Sequence, residues 1–362
     1  DTFTLTASST ATTSSPVGTY PIVPLATGAN LANYNVVYVD GTLTIGQATL
    51  TVTAGNASRA YGTANPTFTA TEAGAVNGDT FTLTASSVAI TSSPVGTYPI
   101  VPLATGANLA SYNVVYVDGT LTVGKATPVV TWANPAGIAY GTALSSTQLD
   151  ASSVTPGSFV YTPAAGAILP VGTDTLSVTF TPTDTATYTA VTQTATIVVG
   201  QATLTVTAGN ASRAFGAANP AFTATAAGAV NGDTFTLTAS SVAITSSPVG
   251  TYPIVPLATG ANLASYNVVY VDGTLTVGKA TPVVTWANPA GIAYGTALSS
   301  TQLDASSVTP GSFVYTPAAG AILPVGTDTL SVTFTPTDTA TYTAVTQTAT
   351  IVVGQATLTV TA

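Results

Sequence analysis

The sequence predicts an all-β protein built as a tandem array of small modules. Three observations predict it. Apolar and polar residues alternate with period two in run after run, Thr and Val dominate those runs, and the whole pattern repeats along the chain. Helical spacing is nowhere sustained.

The repeat sets the organisation. Gln47-Ala-Thr-Leu-Thr-Val-Thr-Ala recurs at Gln201 and at Gln355, a period of 154 residues. Two module types share each period. Module A covers 47–124 and 201–278, and module B covers 125–200 and 279–354. The B copies are identical, and the A copies differ only at Tyr61/Phe215, Thr63/Ala217, Thr67/Ala221 and Glu72/Ala226. Residues 1–46 match the last part of an A module, and 355–362 match its first strand. The order is partial A, A, B, A, B, start of A. The start at Asp1 falls in mid-repeat, so the chain reads as a window from a longer one.

Each element follows from local pattern. In Thr49–Thr53, Leu50 and Val52 face one way and the threonines the other. In Thr175–Thr181, Leu176, Val178 and Phe180 are expected inside. Turns are expected at Asn77-Gly78-Asp79, Pro94-Val95-Gly96 and Asp118-Gly119. Asp118-Gly119 separates Val114–Val117 from Thr120–Val123, which predicts a hairpin. About six to eight short strands per module favour a small sandwich or a grasp-type sheet over a solenoid. With so few charges available, the sheet edges are expected to be blunted by prolines such as Pro94, Pro99, Pro128 and Pro182, or covered by neighbours. The joints Val123-Gly124-Lys125 and Val199-Gly200-Gln201 hold one glycine each, which predicts a semi-rigid array.

Composition excludes several functions. Hydrophobic residues make up 46% of the chain and charged residues 5%, which argues for packed cores and against disorder. The net charge is −9, and the four basic residues are Arg59, Lys125, Arg213 and Lys279. Cations this sparse build no patch for nucleic acid. No apolar run is long enough to span a membrane as a helix. Cys, Met and His are absent, so the modules must hold by packing and hydrogen bonds alone.

The same absences remove Ser–His and Cys–His nucleophile pairs. A Ser–Lys pair could draw only on Lys125 or Lys279, which read as joint cations in Gly-Lys-Ala-Thr-Pro. The one glutamate, Glu72, is Ala226 in the second copy. Asp79, Asp118, Asp150, Asp174 and Asp184 stand singly, as turn residues do, and no Asp-x-Asp-x-Asp-Gly run offers a calcium loop. A Lys–Asn isopeptide bond would need Lys125, an asparagine such as Asn134, and a buried acid that the sequence does not obviously supply. Tyr98, Tyr112, Tyr116, Tyr140, Tyr161, Tyr188 and Trp132 could stack on sugars, but at alternating positions they read as core or rim. Threonine rows such as Thr80-x-Thr82-x-Thr84 lack the flat short-period coil of an ice-binding face. No catalytic, cofactor or metal residue is expected.

Two resemblances cover nearly the whole chain. Module B carries Gly172-Thr-Asp-Thr-Leu-Ser-Val-Thr-Phe-Thr-Pro182 and Asp184-Thr-Ala-Thr-Tyr188, which resemble bacterial immunoglobulin-like repeats. The resemblance implies a tyrosine corner, in which the Tyr188 hydroxyl reaches back to backbone. The core disulfide is missing, with Ala190 where the second Cys would fall, and Trp132 lies near the first strand. Module A carries Tyr61-Gly62-Thr63, Asn77-Gly78-Asp79, Pro94-Val-Gly-Thr-Tyr-Pro99 and Tyr112-Asn113-Val-Val-Tyr116-Val-Asp-Gly-Thr-Leu-Thr-Val123. In these it is similar to MBG repeats. The implied fold class is a tandem of immunoglobulin-like sandwiches and MBG or β-grasp-like modules. The implied setting is bacterial, extracellular and multi-domain, on surface proteins that are often adhesins.

The function expected is a non-enzymatic structural array forming a stalk or fibre of an adhesin-like surface protein. The alternative is a multivalent array of carbohydrate- or surface-binding modules. Expected partners are further copies of the chain or neighbouring repeats, with cell-surface or glycan contact under the alternative. No nucleic acid, membrane span or cofactor is expected.

Overall fold

The computed structural model describes residues 1–361, and among them strands and three short 3-10 turns are found, with no α-helix. Two compact units form. The first holds Asp1–Pro135, Ser145–Ala165 and Thr175–Thr196. The second holds Ala136–Leu144, Gly166–Asp174 and the chain from Ile197 onward.

In the first unit, residues 47–124 form a sandwich of two sheets. The three-stranded sheet runs Ala70–Ala73, Ala48–Ala54, Tyr112–Val117. The four-stranded sheet runs Ala57–Ala60, Gly119–Gly124, Gly96–Thr105, Thr82–Ser86. The alternation does what it predicts. Leu50 and Val52 are wholly buried, while Thr49 and Thr53 are exposed. Each such aliphatic side chain stabilises the fold by about 1.5–3 kcal/mol. One core cluster gathers Leu50, Val52, Ala104 and Tyr112, and the other Ala54, Ala89, Ile100, Leu121 and Val123. Residues 1–46 form a three-stranded sheet of Thr4–Ser8, Gly18–Thr27 and Gly41–Ile45.

The second unit repeats the A sandwich over 201–278 and holds the B module of 279–354. That module pairs Val284–Thr285 with Ser306–Ser307. Its larger sheet runs Ile292–Ala293, Val345–Gly354, Gly326–Pro336, Gly311–Thr316. Its core includes Trp286, Leu298, Leu330, Val332 and Ile351.

A and B share a frame that their sequences barely show. In both, a short edge strand runs parallel to the module's last strand: Leu121 faces Ala57 in A, and Val353 faces Ile292 in B. The last strand then pairs antiparallel with the strand opening at Pro-Val-Gly-Thr: Val123 faces Gly96, and Val353 faces Gly326.

Two expectations need correction. Asp118-Gly119 does not close a hairpin. Tyr112–Val117 pairs with Ala48–Ala54, and Gly119–Gly124 pairs in the opposite sheet, so the chain crosses between sheets here. The glycine serves close approach: a Cβ on Gly119 would stand 2.5 Å from the Gly55 carbonyl oxygen and 2.8 Å from that of Ala54. Nor does Pro99 lie on an edge strand, because Gly96–Thr105 is an inner strand, and what it blunts is only the open side of its own half. Residues 96–100 pair only with 119–123, and 101–105 only with 82–86. Each half keeps one unpaired side, which leaves room for a residue without an N–H.

Candidate functional site at the module joints

The feature common to all complete modules lies at their ends. The short edge strand runs into an aromatic-Gly turn whose glycine adopts positive φ: 81° at Gly62, 90° at Gly141, 78° at Gly216 and 91° at Gly295. That region costs a residue with a Cβ and suits glycine. The aromatic residue's N–H donates to the carbonyl of the module's last glycine. The distances are 2.9 Å from Tyr61 to Gly124, and 2.8 Å from Tyr140 to Gly200, Phe215 to Gly278 and Tyr294 to Gly354. The turn is thereby tied to the chain leaving the module.

Its ring meets the module that follows. Tyr61 packs edge-on against Tyr188 at 5.9 Å, and Phe215 against Tyr342 at 5.9 Å. Tyr140 packs edge-on against Tyr266 at 5.6 Å. T-shaped pairs of this kind place a positive ring edge on a negative ring face.

Each A copy also carries an Asp–Asn–Tyr triad at its opening end. Asp79 accepts from Asn108 Nδ2 at 2.6 Å and from the Tyr112 hydroxyl at 2.8 Å. Asp1 accepts from Asn30 at 2.6 Å and Tyr34 at 3.0 Å. Asp233 accepts from Asn262 and from Tyr266 at 2.7 Å. The Asn108 and Tyr112 donors hold the Asp79 carboxyl below its ordinary range. Burial, more than the neighbouring Asp79, pushes the Tyr112 hydroxyl up. Asn77 and Gly78, at φ 58° and 78°, set the turn that delivers Asp79. A carboxylate so engaged is a weak base, and no cluster of three metal-ligating side chains occurs among the described residues. A cavity of about 490 Å³ borders this triad, with Ser15, Pro16 and Ile45 on its other wall.

The other candidates take structural positions. Lys125 Nζ donates to the Thr185 carbonyl at 2.7 Å, and Asn134 accepts from the Thr196 N–H at 2.9 Å, so the isopeptide pair is not brought together. Asp184 accepts from the N–H groups of Ala186 and Thr187. The Thr187 hydrogen bonds lower its pKa, with Lys125 a lesser cause. Tyr98 donates to the Pro94 carbonyl at 2.8 Å, and Tyr116 accepts from the Ala104 N–H. Trp132 is buried, donates to the Gln148 carbonyl at 3.1 Å and packs on Tyr161. The tyrosine corner needs correction. No hydrogen bond from the Tyr188 or Tyr342 hydroxyl is found among the described residues. Tyr188 bridges Ala126 through its backbone and turns its ring to the joint.

The MBG domain (YGX type) profile matches residues 1–44, 50–122 and 204–276, together just over half of the chain. The chain belongs to the MBG family. The matched stretches are the A segments, and the B segments lie outside them. Among curated proteins none matches the chain. Solved structures give distant likenesses. Drosophila N-cadherin EC1-3 is 12% identical, covering 62% of this chain and 100% of its own, at TM-score 0.23. The N-terminal four Ig domains of Dscam1 isoform 6.9 are 10% identical, covering 74% and 82%, also at 0.23. A SusE-like surface located polysaccharide binding protein of Bacteroides thetaiotaomicron is 12% identical, covering 94% and 62%, at 0.17. At such scores these likenesses carry no argument.

In this MBG chain the joint residues were partly hidden in the sequence. Tyr140 reads there as a core or rim aromatic and Asp79 as a turn residue. Two signals point elsewhere: Ala-Tyr-Gly-Thr occurs in both module types, at 60–63 and 139–142, and the Asp, Asn and Tyr spacing is the same at 1/30/34, 79/108/112 and 233/262/266. Arg59 carries no sequence signal at all. It is buried in A, with its guanidinium donating to Asn65 Oδ1 at 2.7 Å, to the Ala60 carbonyl at 3.2 Å and to the Ile90 carbonyl.

Proposed function

We propose that this MBG chain is a non-enzymatic extracellular repeat array, working as a semi-rigid stalk or fibre segment of a bacterial adhesin-like surface protein. The observation that carries the reading is the joint. Both A copies and the first B copy use one device, an aromatic-Gly turn tied to the exit glycine and packed on the next module, at the 124/125, 200/201 and 278/279 boundaries. Repetition of a joint serves spacing, whereas catalysis needs only one site. The segments 47–124, 125–200, 201–278 and 279–354 are proposed as its folding units, with 1–46 and 355–362 as parts of further A modules.

Support for a non-enzymatic role comes from the engaged Asp79 and Asp184 carboxylates and from the lack of His and Cys. The glycan-binding alternative draws less support, because Tyr98, Tyr112, Tyr140 and Trp132 spend their polar atoms inside the protein. No helix among the described residues is long and apolar enough to cross a membrane. The MBG resemblance supports the surface setting. Electron microscopy of the 362-residue chain tests the reading. Elongated particles with a narrow spread of bend angles are expected, and freely jointed or collapsed particles would overturn it. A glycan array is expected to be blank, and a reproducible sugar hit would favour the alternative.

A further inference from the structure

The two kinds of joint differ in one chemical respect. At the B-to-A joint the Tyr140 hydroxyl donates to Asp233 Oδ2 at 3.2 Å, as a third donor to a carboxylate already held by Asn262 and Tyr266. Tyr140 also packs, with Val230, against the core cluster of Leu204, Val206 and Tyr266. At the A-to-B joint no hydrogen bond from the Tyr61 hydroxyl is found among the described residues, and the ring contact stands by itself. There the two copies present Tyr61 and Phe215 to Tyr188 and Tyr342, at the same 5.9 Å and with interplanar angles of 77° and 78°. The molecule thus contains its own Tyr-to-Phe comparison, and the A-to-B geometry does not register the lost hydroxyl.

We propose that the Asp233–Asn262–Tyr266 triad is a recognition socket for the phenol hydroxyl of a Tyr-Gly turn, which latches a B module onto the A module after it, while A is joined to the following B by ring packing alone. The socket is preformed. Asp1 and Asp79 hold the same Asn and Tyr partners at similar distances, with no third donor among the described residues. A preformed acceptor spends little ordering entropy when its ligand arrives. The ligand class is therefore specific: a tyrosine at a turn with glycine next to it. The glycine matters because a Cβ on Gly141 would lie 2.5 Å from Val230 Cγ2 and 2.7 Å from its Cβ. Ring packing positions the two modules, and the hydroxyl supplies the directional contact that phenylalanine cannot make. This inference stands apart from the stalk reading, since a latched joint would serve a binding array equally.

The test uses the full chain and hydrogen exchange read by mass spectrometry. The peptide over 222–235 is distinguished from its first-copy counterpart over 68–81 by Ala226 in place of Glu72. Tyr140→Phe is expected to speed exchange at Val230–Asp233 several-fold and to leave the first-copy peptide unchanged. Tyr61→Phe is expected to change nothing in the peptide spanning Asp184–Thr189, read together with its identical copy. Unchanged exchange at Val230–Asp233 in Tyr140→Phe, or an equal rise in both variants at their own joints, would overturn the latch. A second pair guards against general destabilisation. Gly141→Ala and Gly295→Ala bear the same positive-φ strain, but a Cβ on Gly295 meets nothing within 4 Å. Only Gly141→Ala should free the 222–235 peptide. If both free it equally, the contact with Val230 does not hold the joint.

Discussion

The Tyr140 hydroxyl lies 3.2 Å from the Asp233 carboxylate, 93 positions later in the sequence. The contact ties a turn of one module to the opening turn of the next, and it makes that joint responsive to proton concentration. Tyr266 and Asn262 chiefly, with Tyr140 as a smaller cause, lower the Asp233 pKa. Asp79, Asp184 and Asp338 are lowered too, by their own hydrogen-bond donors. A carboxyl depressed in the folded state contributes stability above its unfolded value. That contribution is lost as pH falls through the lower folded value. The melting temperature is therefore expected to stay level from neutral pH down to the ordinary aspartate value of 3.8 and to fall below it. Thermal melts across that range check this. A melting temperature that rises on acidification would contradict it.

Gly119→Ala is expected to destabilise the A module by about 1–3 kcal/mol, the scale of overpacking in a closed core. The new Cβ would meet the backbone carbonyls of Gly55 and Ala54, which no side-chain rotation can relieve. Denaturant melts of the variant measure the loss. A neutral result would mean that the two strands can separate locally without cost.

That glycine also marks where the sequence stops being legible. Strand positions, inward faces and the positive-φ Asn77-Gly78 turn follow from period-two alternation and local turn chemistry. Leu176, Val178 and Phe180 are fully buried as their spacing predicts. Asp118-Gly119 has the local chemistry of a hairpin, yet a crossing between sheets uses the same dipeptide for a different reason. Which partner a strand takes is a nonlocal choice, and alternation does not encode it. The same limit applies to the joint. Tyr140 and Asp233 carry ordinary local patterns, and only the packing of successive modules brings them together.

Arg59 is expected to be worth more than its isolation in the sequence suggests. Its guanidinium reaches Asn65, the Ala60 carbonyl and the Ile90 carbonyl from a buried position. Arg59→Ala leaves those acceptors without their donor, at about 1–3 kcal/mol. Arg59→Lys should recover only part, because an ammonium cannot present the planar fork. Urea melts of both variants give the comparison, and full recovery by lysine would show that charge alone matters.

Phe334→Ala tests whether the proposed module boundaries are folding boundaries. Phe334 is fully buried in the second B module and packs on Phe313 with ring centroids 4.7 Å apart. Removing it is expected to cost about 3–5 kcal/mol. If residues 279–354 fold as a unit, calorimetry should show one module's transition moving to lower temperature while the remainder holds. A uniform shift of the whole endotherm would instead make the array one cooperative body and would remove the basis for those boundaries.

The edge strand Gly311–Thr316 bears on self-association. It lies at the border of its sheet, carries no charge, and is flanked by Pro310 and Pro317. Val314 on it is 63% exposed. Edge strands are ordinarily protected by charge, and lysine is the usual guard. The same strand recurs at Gly157–Thr162, so one chain offers two unguarded edges of identical sequence. Concentration-dependent association is expected in sedimentation velocity, and Val160→Lys with Val314→Lys should weaken it. Placing an ammonium on each edge should act by repulsion between approaching strands, so added salt should partly restore association in the variant. A chain that stays monomeric at every concentration would show that the flanking prolines already suffice to keep these edges apart.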